Sequence, residues 1–315
     1  MPLDPGRDQK LLLLDSASLY FRAFFGVPDQ RTSPDEPPTN ALRGFLDMIA
    51  TLVTVHRPTH LVACWDDDWR PQWRVDLVPT YKTHRLTEGS DVVEESPPDL
   101  TPQVPLIREA LAAVGIARLG APGFEADDVI GTLVTRHRGV MPVDVVTGDR
   151  DLLQLVDDEH GVRVLYTGKG GVREPDVVTQ SFLAQRYAVP TGEAYLDMSV
   201  LRGDTSDGLP GVRSIGDKTA ATLIEAHGSL DGLRAAVASG DPTLKGARRA
   251  NLEAASDYLD VAPTVVRVAR DAPVADADLR LPQAVADPTA LESLASTYGV
   301  TNPVNRLLTA LGLAP

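Results

Sequence analysis

The chain has 315 residues, 43% of them hydrophobic and 23% charged, and a formal net charge of −14 at pH 7. That length holds one large core or two smaller ones, and the balance is that of a globular protein rather than a disordered or fibrous one. A single cysteine excludes an intrachain disulfide and a cysteine-rich zinc site. No run approaches the ~20 apolar residues of a membrane span, and the apolar run in "MPLDPGRDQKLLLLDS" is too short for a signal peptide, so a cytoplasmic protein is expected. The acidity argues against a nucleic-acid partner only if the acids are not neutralised by bound metal.

Taken in chain order, "KLLLLD" (10–15) predicts a first buried strand and "ALRGFLDMIATLVTVH" (41–56) a helix. "HLVACWD" (60–66) predicts a second strand, with Cys64 as a core thiol. Residues 86–104 are polar, acidic and proline-containing, and a loop of that length inside a domain is either mobile or functional. Helices are predicted over 105–115, stopped by Gly115, and over 125–138, and strands over 143–149 and 162–168. Strands alternating with helices imply an α/β fold, a mostly parallel sheet covered by helices. From about residue 176 helical patterns dominate, which divides the chain into 1–175 and 176–315. The last 55 residues read as helices packing back on the core.

Three of the four predicted strands end in aspartate: Asp15, Asp66 and Asp149. The carboxyl ends of parallel strands share one edge, so three negative charges on it are costly unless a cation sits there. Glu125, Asp127 and Asp128 open a helix, Asp149 and Asp151 share the turn "GDRD", and Asp204 and Asp207 share "GDTSD". Any one of these is an ordinary helix-dipole partner, turn or cap. Nine acids at five such places are much harder to dismiss. An all-oxygen set suits Mg²⁺ or Mn²⁺, and the six histidines form no zinc set. Several acids around two or more hard cations are the apparatus of in-line phosphoryl displacement.

The segment "LPGVRSIGDKTAATLIEAHG" has the form of a helix–hairpin–helix, within about 199–228. Gly211 and Gly216 permit the turn, with Gly216 expected at a positive φ or in close approach to phosphate. The next helix starts near Asp217, where its free N–H groups and Lys218 can hold a phosphate. Lysine is scarce, with five in the chain, and Lys82 stands in "YKTHR" between Tyr81 and Arg85. An aromatic beside two cations is the pattern for stacking a base and gripping its phosphate, although a solvated patch reads the same way. Arg22, in "YFRAFF", is near enough to Asp15 to reach the same edge. "WRPQWR" (69–74) is given no role.

Together, "LLLLDSASLYFRAFF", "WDDDWRPQWRVDLVPTYKTHR", "FEADDVIGTLV", "VTGDRDLLQLV" and "GDTSDGLPGVRSIGDKTA" resemble, in order, the successive signatures of the bacterial and phage 5′-nuclease family. That family includes flap endonucleases and the 5′-exonuclease domain of DNA polymerase I. The resemblance covers roughly residues 10–230 and implies a PIN-like nuclease core, a helical arch or clamp at about 78–105, and a helix–three-turn–helix that grips duplex DNA. It implies metal ligation by Asp15, Asp66, Glu125, Asp127, Asp128, Asp149, Asp151, Asp204 and Asp207, with Asp66 and the later acids of each cluster acting through water. Arg22, Lys82 and Arg85 match phosphate-contacting catalytic residues, and Tyr81 a stacking aromatic. Gly211, Gly216, Lys218 and Thr219 match the duplex contacts, and the carbonyls of Val212 and Ile215 those that hold a monovalent cation such as K⁺. Trp65 departs from the family's usual Phe before the strand-end aspartate.

What the resemblance implies is a stand-alone, divalent-metal-dependent 5′-3′ exonuclease and flap endonuclease. It would be monomeric and nucleoid-associated, and would act on DNA with 5′ flaps, nicks or 5′ ends. A non-catalytic DNA-junction binder is the alternative of a different class, disfavoured by the intact strand-end aspartates. A related metal-dependent ribonuclease is a second, disfavoured by the glycine hairpin.

Overall fold

The computed structural model of the chain describes residues 9–33 and 35–313. In the first strand, β1 (Leu11–Asp15), Leu11 and Leu13 enter one hydrophobic cluster while Leu12 and Leu14 enter another. Side chains of a strand alternate between its faces, so a strand apolar on both sides must lie at the centre of a sheet covered on both sides. The first half of the chain builds that sheet through α1 (Ser16–Gly26), α2 (Asn40–His56), β2 (His60–Cys64), α3 (Gln72–Leu77), α4 (Gln103–Val114), β3 (Ala117–Leu119), α5 (Ala126–His137), β4 (Val143–Thr147), β5 (Val162–Tyr166) and β6 (Asp176–Val178). Strand order is β3-β2-β1-β4-β5-β6, the first five parallel and β6 antiparallel at the edge.

All four predicted strands are present. The two that were missed, β3 and β6, have three residues each, too few to show a period. Because β6 belongs to the sheet, the boundary expected at residue 175 falls too early. The chain then continues as α6 (Gln180–Tyr187), α7 (Gly192–Arg202), α8 (Asp217–His227), α9 (Leu230–Ser239), α10 (Gly246–Ala254) and α11 (Ser256–Val266). These helices and α5 share the cluster on one face of the sheet. The last two helices, α12 (Pro288–Thr297) and α13 (Thr301–Leu311), share the cluster on the other face with α2 and α4.

Local chemistry explains several of these limits. Helix α4 stops at Gly115, which takes φ +92° as the sequence predicts. Fully buried Gln103 accepts the N–H groups of Ala41 and Leu42 at 2.8 and 3.2 Å, satisfying the start of α2 from a neighbouring helix. Cys64 is buried in β2, and burial pushes its thiol well above the usual range, so it is a core residue. The expected helical arch over 78–105 is corrected. Thr83–Arg85 form one short 3-10 turn, and Leu86 and Glu94 pair as an isolated bridge. The chain stays otherwise non-helical until α4, held by Thr87 N–H to the Val93 carbonyl at 2.8 Å and Glu95 N–H to the Arg85 carbonyl at 2.7 Å. Its prolines and acids offer no apolar face on which a helix could pack.

Candidate active site

The carboxyl ends of β1, β2 and β4 lie side by side, and the acids gather there. Asp15 ends β1 and caps α1. One of its oxygens accepts the Ser18 N–H at 3.1 Å and the other the Thr147 hydroxyl at 2.6 Å. Asp66, two residues past β2, accepts the Ala126 N–H at 2.8 Å, which ties it to the start of α5. Asp149, two residues past β4, accepts the Asp151 N–H at 2.9 Å. Asp15, Asp66, Glu125, Asp127 and Asp149 line one cleft of about 440 Å³, together with Lys82, Arg85 and Glu94.

These carboxyl groups are poorly solvated and crowded. Burial pushes Asp15 up to about 7, with Asp66 and Asp149 adding to the shift. Burial, then repulsion from Asp15 and Asp149, holds Asp127 well above the usual range. Asp151 is raised well above the usual range by burial and then by the charges of Asp149, Asp207 and Asp204. Two cations line the cleft, Lys82 and Arg85. Lys82 Nζ lies 2.7 Å from Glu125 Oε1, and Arg85 Nη2 lies 2.7 Å from Asp207 Oδ1. Burial opposes the charge on Lys82, but Glu125, Tyr81 and Asp207 outweigh it and hold its ammonium well above the usual range.

Among the described residues, no three His, Cys, Asp or Glu side chains close up tightly enough to hold an ion by themselves. The acids instead stand around an open cleft, and their donors are hard oxygens with more negative charge than the local cations neutralise. That chemistry fits a divalent cation. A raised carboxyl group favours the folded state below its unfolded value of 3.8, and this contribution is lost as the pH rises through its folded value, about 7 for Asp15. A bound cation reverses the loss. The melting-temperature gap between protein in Mg²⁺ and protein in EDTA should therefore widen from about pH 5 to about pH 8. A gap constant across that range in a thermal-shift titration would count against ion binding by these acids.

Beyond the cleft, α7 runs into the acidic turn and the hairpin as one hydrogen-bonded unit. Asp204 and Leu209 exchange backbone bonds at 3.0 and 2.8 Å, and Val212 N–H reaches the Leu201 carbonyl at 2.8 Å. Gly211 takes φ +62°, and an added Cβ would stand 2.4 Å from the Arg202 carbonyl oxygen, so glycine is required there. Gly216, the N-cap of α8, departs from the expected positive φ. It has φ −104° and no neighbouring atom within 4 Å of an added Cβ. Besides Gly211, the left-handed residue between the two glycines is Ser214, at φ 61°. Gly216 and Lys218 are exposed at the start of α8 and Thr219 is half-buried, so the helix opens towards solvent as a phosphate grip requires. The Val212 carbonyl accepts the Ile215 N–H at 3.0 Å.

Residues 10–188 match the family model described as "5'-3' exonuclease, N-terminal resolvase-like domain", and residues 190–287 match "5'-3' exonuclease, C-terminal SAM fold". The chain belongs to the 5′-3′ exonuclease family. A 5′-3′ exonuclease of Streptomyces coelicolor is 54% identical over 304 residues, covering 95% of this chain and 99% of that one. One of Mycobacterium tuberculosis is 51% identical, covering 97% and 98%. In fold, the chain resembles the bacteriophage T5 D15 flap endonuclease, solved with DNA and metal ions, with a TM-score of 0.63 and 16% identity over 96% of this chain and all of that one.

Within this 5′-3′ exonuclease several expected roles change. Tyr81 is buried, and its hydroxyl bonds both Glu125 oxygens at 2.9 and 3.1 Å, so its ring offers no face to a base. Asp128 does not face the cleft. Fully buried, it takes two bonds of 2.7 Å from Arg74 and further ones from the Glu125 and Ala269 N–H groups, which leaves no oxygen for a metal. Arg22 donates to the Thr167 carbonyl, one residue past β5, and does not line the cleft with Lys82.

Arg74 was missed. Its side chain is 2% exposed, and it holds Asp128, Glu125 at 3.0 Å and the Val265 carbonyl in the last turn of α11 at 3.0 Å. Nothing in "WRPQWR" distinguishes such a residue from a surface ridge. Replacing it by methionine strands the buried Asp128 carboxylate, while Glu125 keeps Lys82 and the Tyr81 hydroxyl, and should cost about 3–5 kcal/mol, readable by urea unfolding. Glu94 was missed as well. It comes from the polar loop, and no sequence period points to it.

Proposed function

We propose that this 5′-3′ exonuclease is divalent-metal-dependent and also a structure-specific 5′-flap endonuclease. It hydrolyses DNA phosphodiesters near single-strand/duplex junctions in replication and repair, leaving 5′-phosphate and 3′-hydroxyl ends. The observation that carries this reading is the cleft in which acids from β1, β2, the start of α5 and the end of β4 meet Lys82 and Arg85. Asp15, Asp66, Glu125, Asp127 and Asp149 would hold one Mg²⁺ or Mn²⁺, and Asp149, Asp151, Asp204 and Asp207 a second. Bound there, the cations lower the pKa of the attacking water and stabilise charge at the leaving oxygen. Lys82 and Arg85 present positive charge to the scissile phosphate, and Thr147 and Ser18 fix the position of Asp15. Water oxygen bonds to phosphorus as the bond to the 3′ oxygen breaks, which leaves the phosphate on the 5′ side of the downstream strand.

The hairpin grips duplex backbone away from the cut, through α8 and Lys218, with K⁺ held at the Val212 and Ile215 carbonyls. The enzyme is read as a cytoplasmic, nucleoid-associated monomer. Among the described residues no helix is long and apolar enough to cross a membrane. Cleavage of a 5′-labelled flap beside blunt duplex and single-stranded DNA in Mn²⁺ tests the substrate reading. The flap should be cut fastest, and equal rates on all three would refute junction specificity.

Gly216→Val tests the hairpin. The protein has room for the side chain, so stability should hold while duplex binding weakens. Lys218→Ala should be milder and should flatten the salt dependence by about one unit of slope in log K against log salt. Both losses should largely vanish on short single strands. Equal losses on single strands and duplexes would remove the hairpin from duplex recognition.

A further inference from the structure

Arg202 is the last residue of α7, one position before Gly203 and two before Asp204. Its side chain is 12% exposed and lies between two carboxylates. Nη1 stands 3.3 Å from Asp217 Oδ1 on the first turn of α8, and Nη2 stands 3.9 Å from Asp204 Oδ2. Nε donates to the Gly203 carbonyl at 3.1 Å, and Nη2 is buried with no hydrogen-bond partner. A guanidinium usually closes on a carboxylate at ~2.7–2.9 Å with both prongs. This one is suspended instead, within reach of the acidic turn and of the hairpin helix but fully engaged by neither. The backbone around it is tight. Gly203 takes φ +72°, and an added Cβ would stand 2.5 Å from the Gly211 nitrogen.

We propose that Arg202 is a positioning residue that couples duplex capture at the hairpin to cation binding at Asp204. This rests on the reading that α8 grips DNA phosphate and that Asp204 is a metal acid. In the free enzyme the guanidinium partly neutralises Asp204 and competes with an incoming cation. A phosphate arriving at the start of α8 adds negative charge beside Asp217 and draws the guanidinium towards the hairpin. Asp204 is then left with less competing positive charge, and the cation binds more tightly. By linkage the cation tightens duplex binding by the same factor. Metal affinity and the presence of the correct DNA are thus tied together by one side chain.

The test measures Mn²⁺ affinity by electron paramagnetic resonance, with and without a closed DNA dumbbell that offers duplex backbone but no 5′ end to cut. In the wild type the dumbbell should tighten Mn²⁺ binding about fivefold or more. In Arg202→Met that tightening should disappear, while the free protein binds Mn²⁺ at least as tightly as wild type because a competing cation is gone. A merely structural role would weaken Mn²⁺ binding instead. Arg202→Lys keeps a point charge that cannot straddle both acids, so at most half of the tightening should remain. That variant decides the matter if Arg202→Met does not fold. Full tightening retained in the variants, or none in a wild type that binds both Mn²⁺ and the dumbbell, would overturn the coupling alone. A wild type that binds no Mn²⁺ or no dumbbell would overturn the underlying reading with it.

Discussion

Asp149→Ala protein should cleave a 5′-labelled flap about 10³-fold or more slowly than wild type in single turnover, while binding the same DNA within several-fold. Asp149 belongs to both ends of the site. It lines the cleft with Asp15 and Asp127, and it is the first neighbour to push up Asp151. Among the described residues its carboxylate accepts one hydrogen bond, the Asp151 N–H at 2.9 Å in the turn after β4, so its removal should leave the fold intact. The duplex grip proposed for the hairpin rests on separate backbone bonds between Leu201 and Val212 and between Asp204 and Leu209. Chemistry and binding should therefore separate. Asp151→Ala should behave in the same way. Gel-shift affinities and quenched single-turnover rates measured on the same preparation check this, and a rate within tenfold of wild type would remove Asp149 from the metal site.

Lys82→Ala should lower kcat by about 10²–10³ and raise KM much less. The ammonium lies 2.7 Å from Glu125 and on the wall of the cleft, where a scissile phosphate beside the acids would meet it. Glu125 keeps Arg74 and the Tyr81 hydroxyl when Lys82 is removed, so its carboxylate does not become a stranded buried charge. Stability should consequently change little, in contrast to Arg74→Met. An unchanged single-turnover rate would leave Lys82 as a structural ion-pair partner of Glu125 with no part in the chemistry.

The strands β1, β2, β4 and β5 were legible because each is a short run dominated by Leu or β-branched residues, and β1, β2 and β4 carry an aspartate at or just past the end, so fold and acidic edge came from the same residues. The hairpin was legible from its glycines, but their conformations were not. The steric demand falls on Gly211, packed against the Arg202 carbonyl, whereas Gly216 sits in open space. Tyr81 and Asp128 were misread for a common reason. Sequence gives the residue type and not the side it faces, and a buried arginine seven residues before Tyr81 turns both inward. Arg74 could not be foreseen, since its partners lie 51 and 54 residues away. Arg202 was passed over because its meaning depends on Asp217, fifteen residues further on.

The central claim is that the acids at the strand ends take a divalent cation without which no bond is cut. The most direct measurement is the cleavage of a 5′-labelled flap by the wild-type protein in EDTA and across a Mn²⁺ titration, with the ends of the products mapped. The account predicts no product in EDTA, a rate that rises and saturates with Mn²⁺, and fragments that carry 5′-phosphate and 3′-hydroxyl ends. Cleavage at the full rate in EDTA would contradict it.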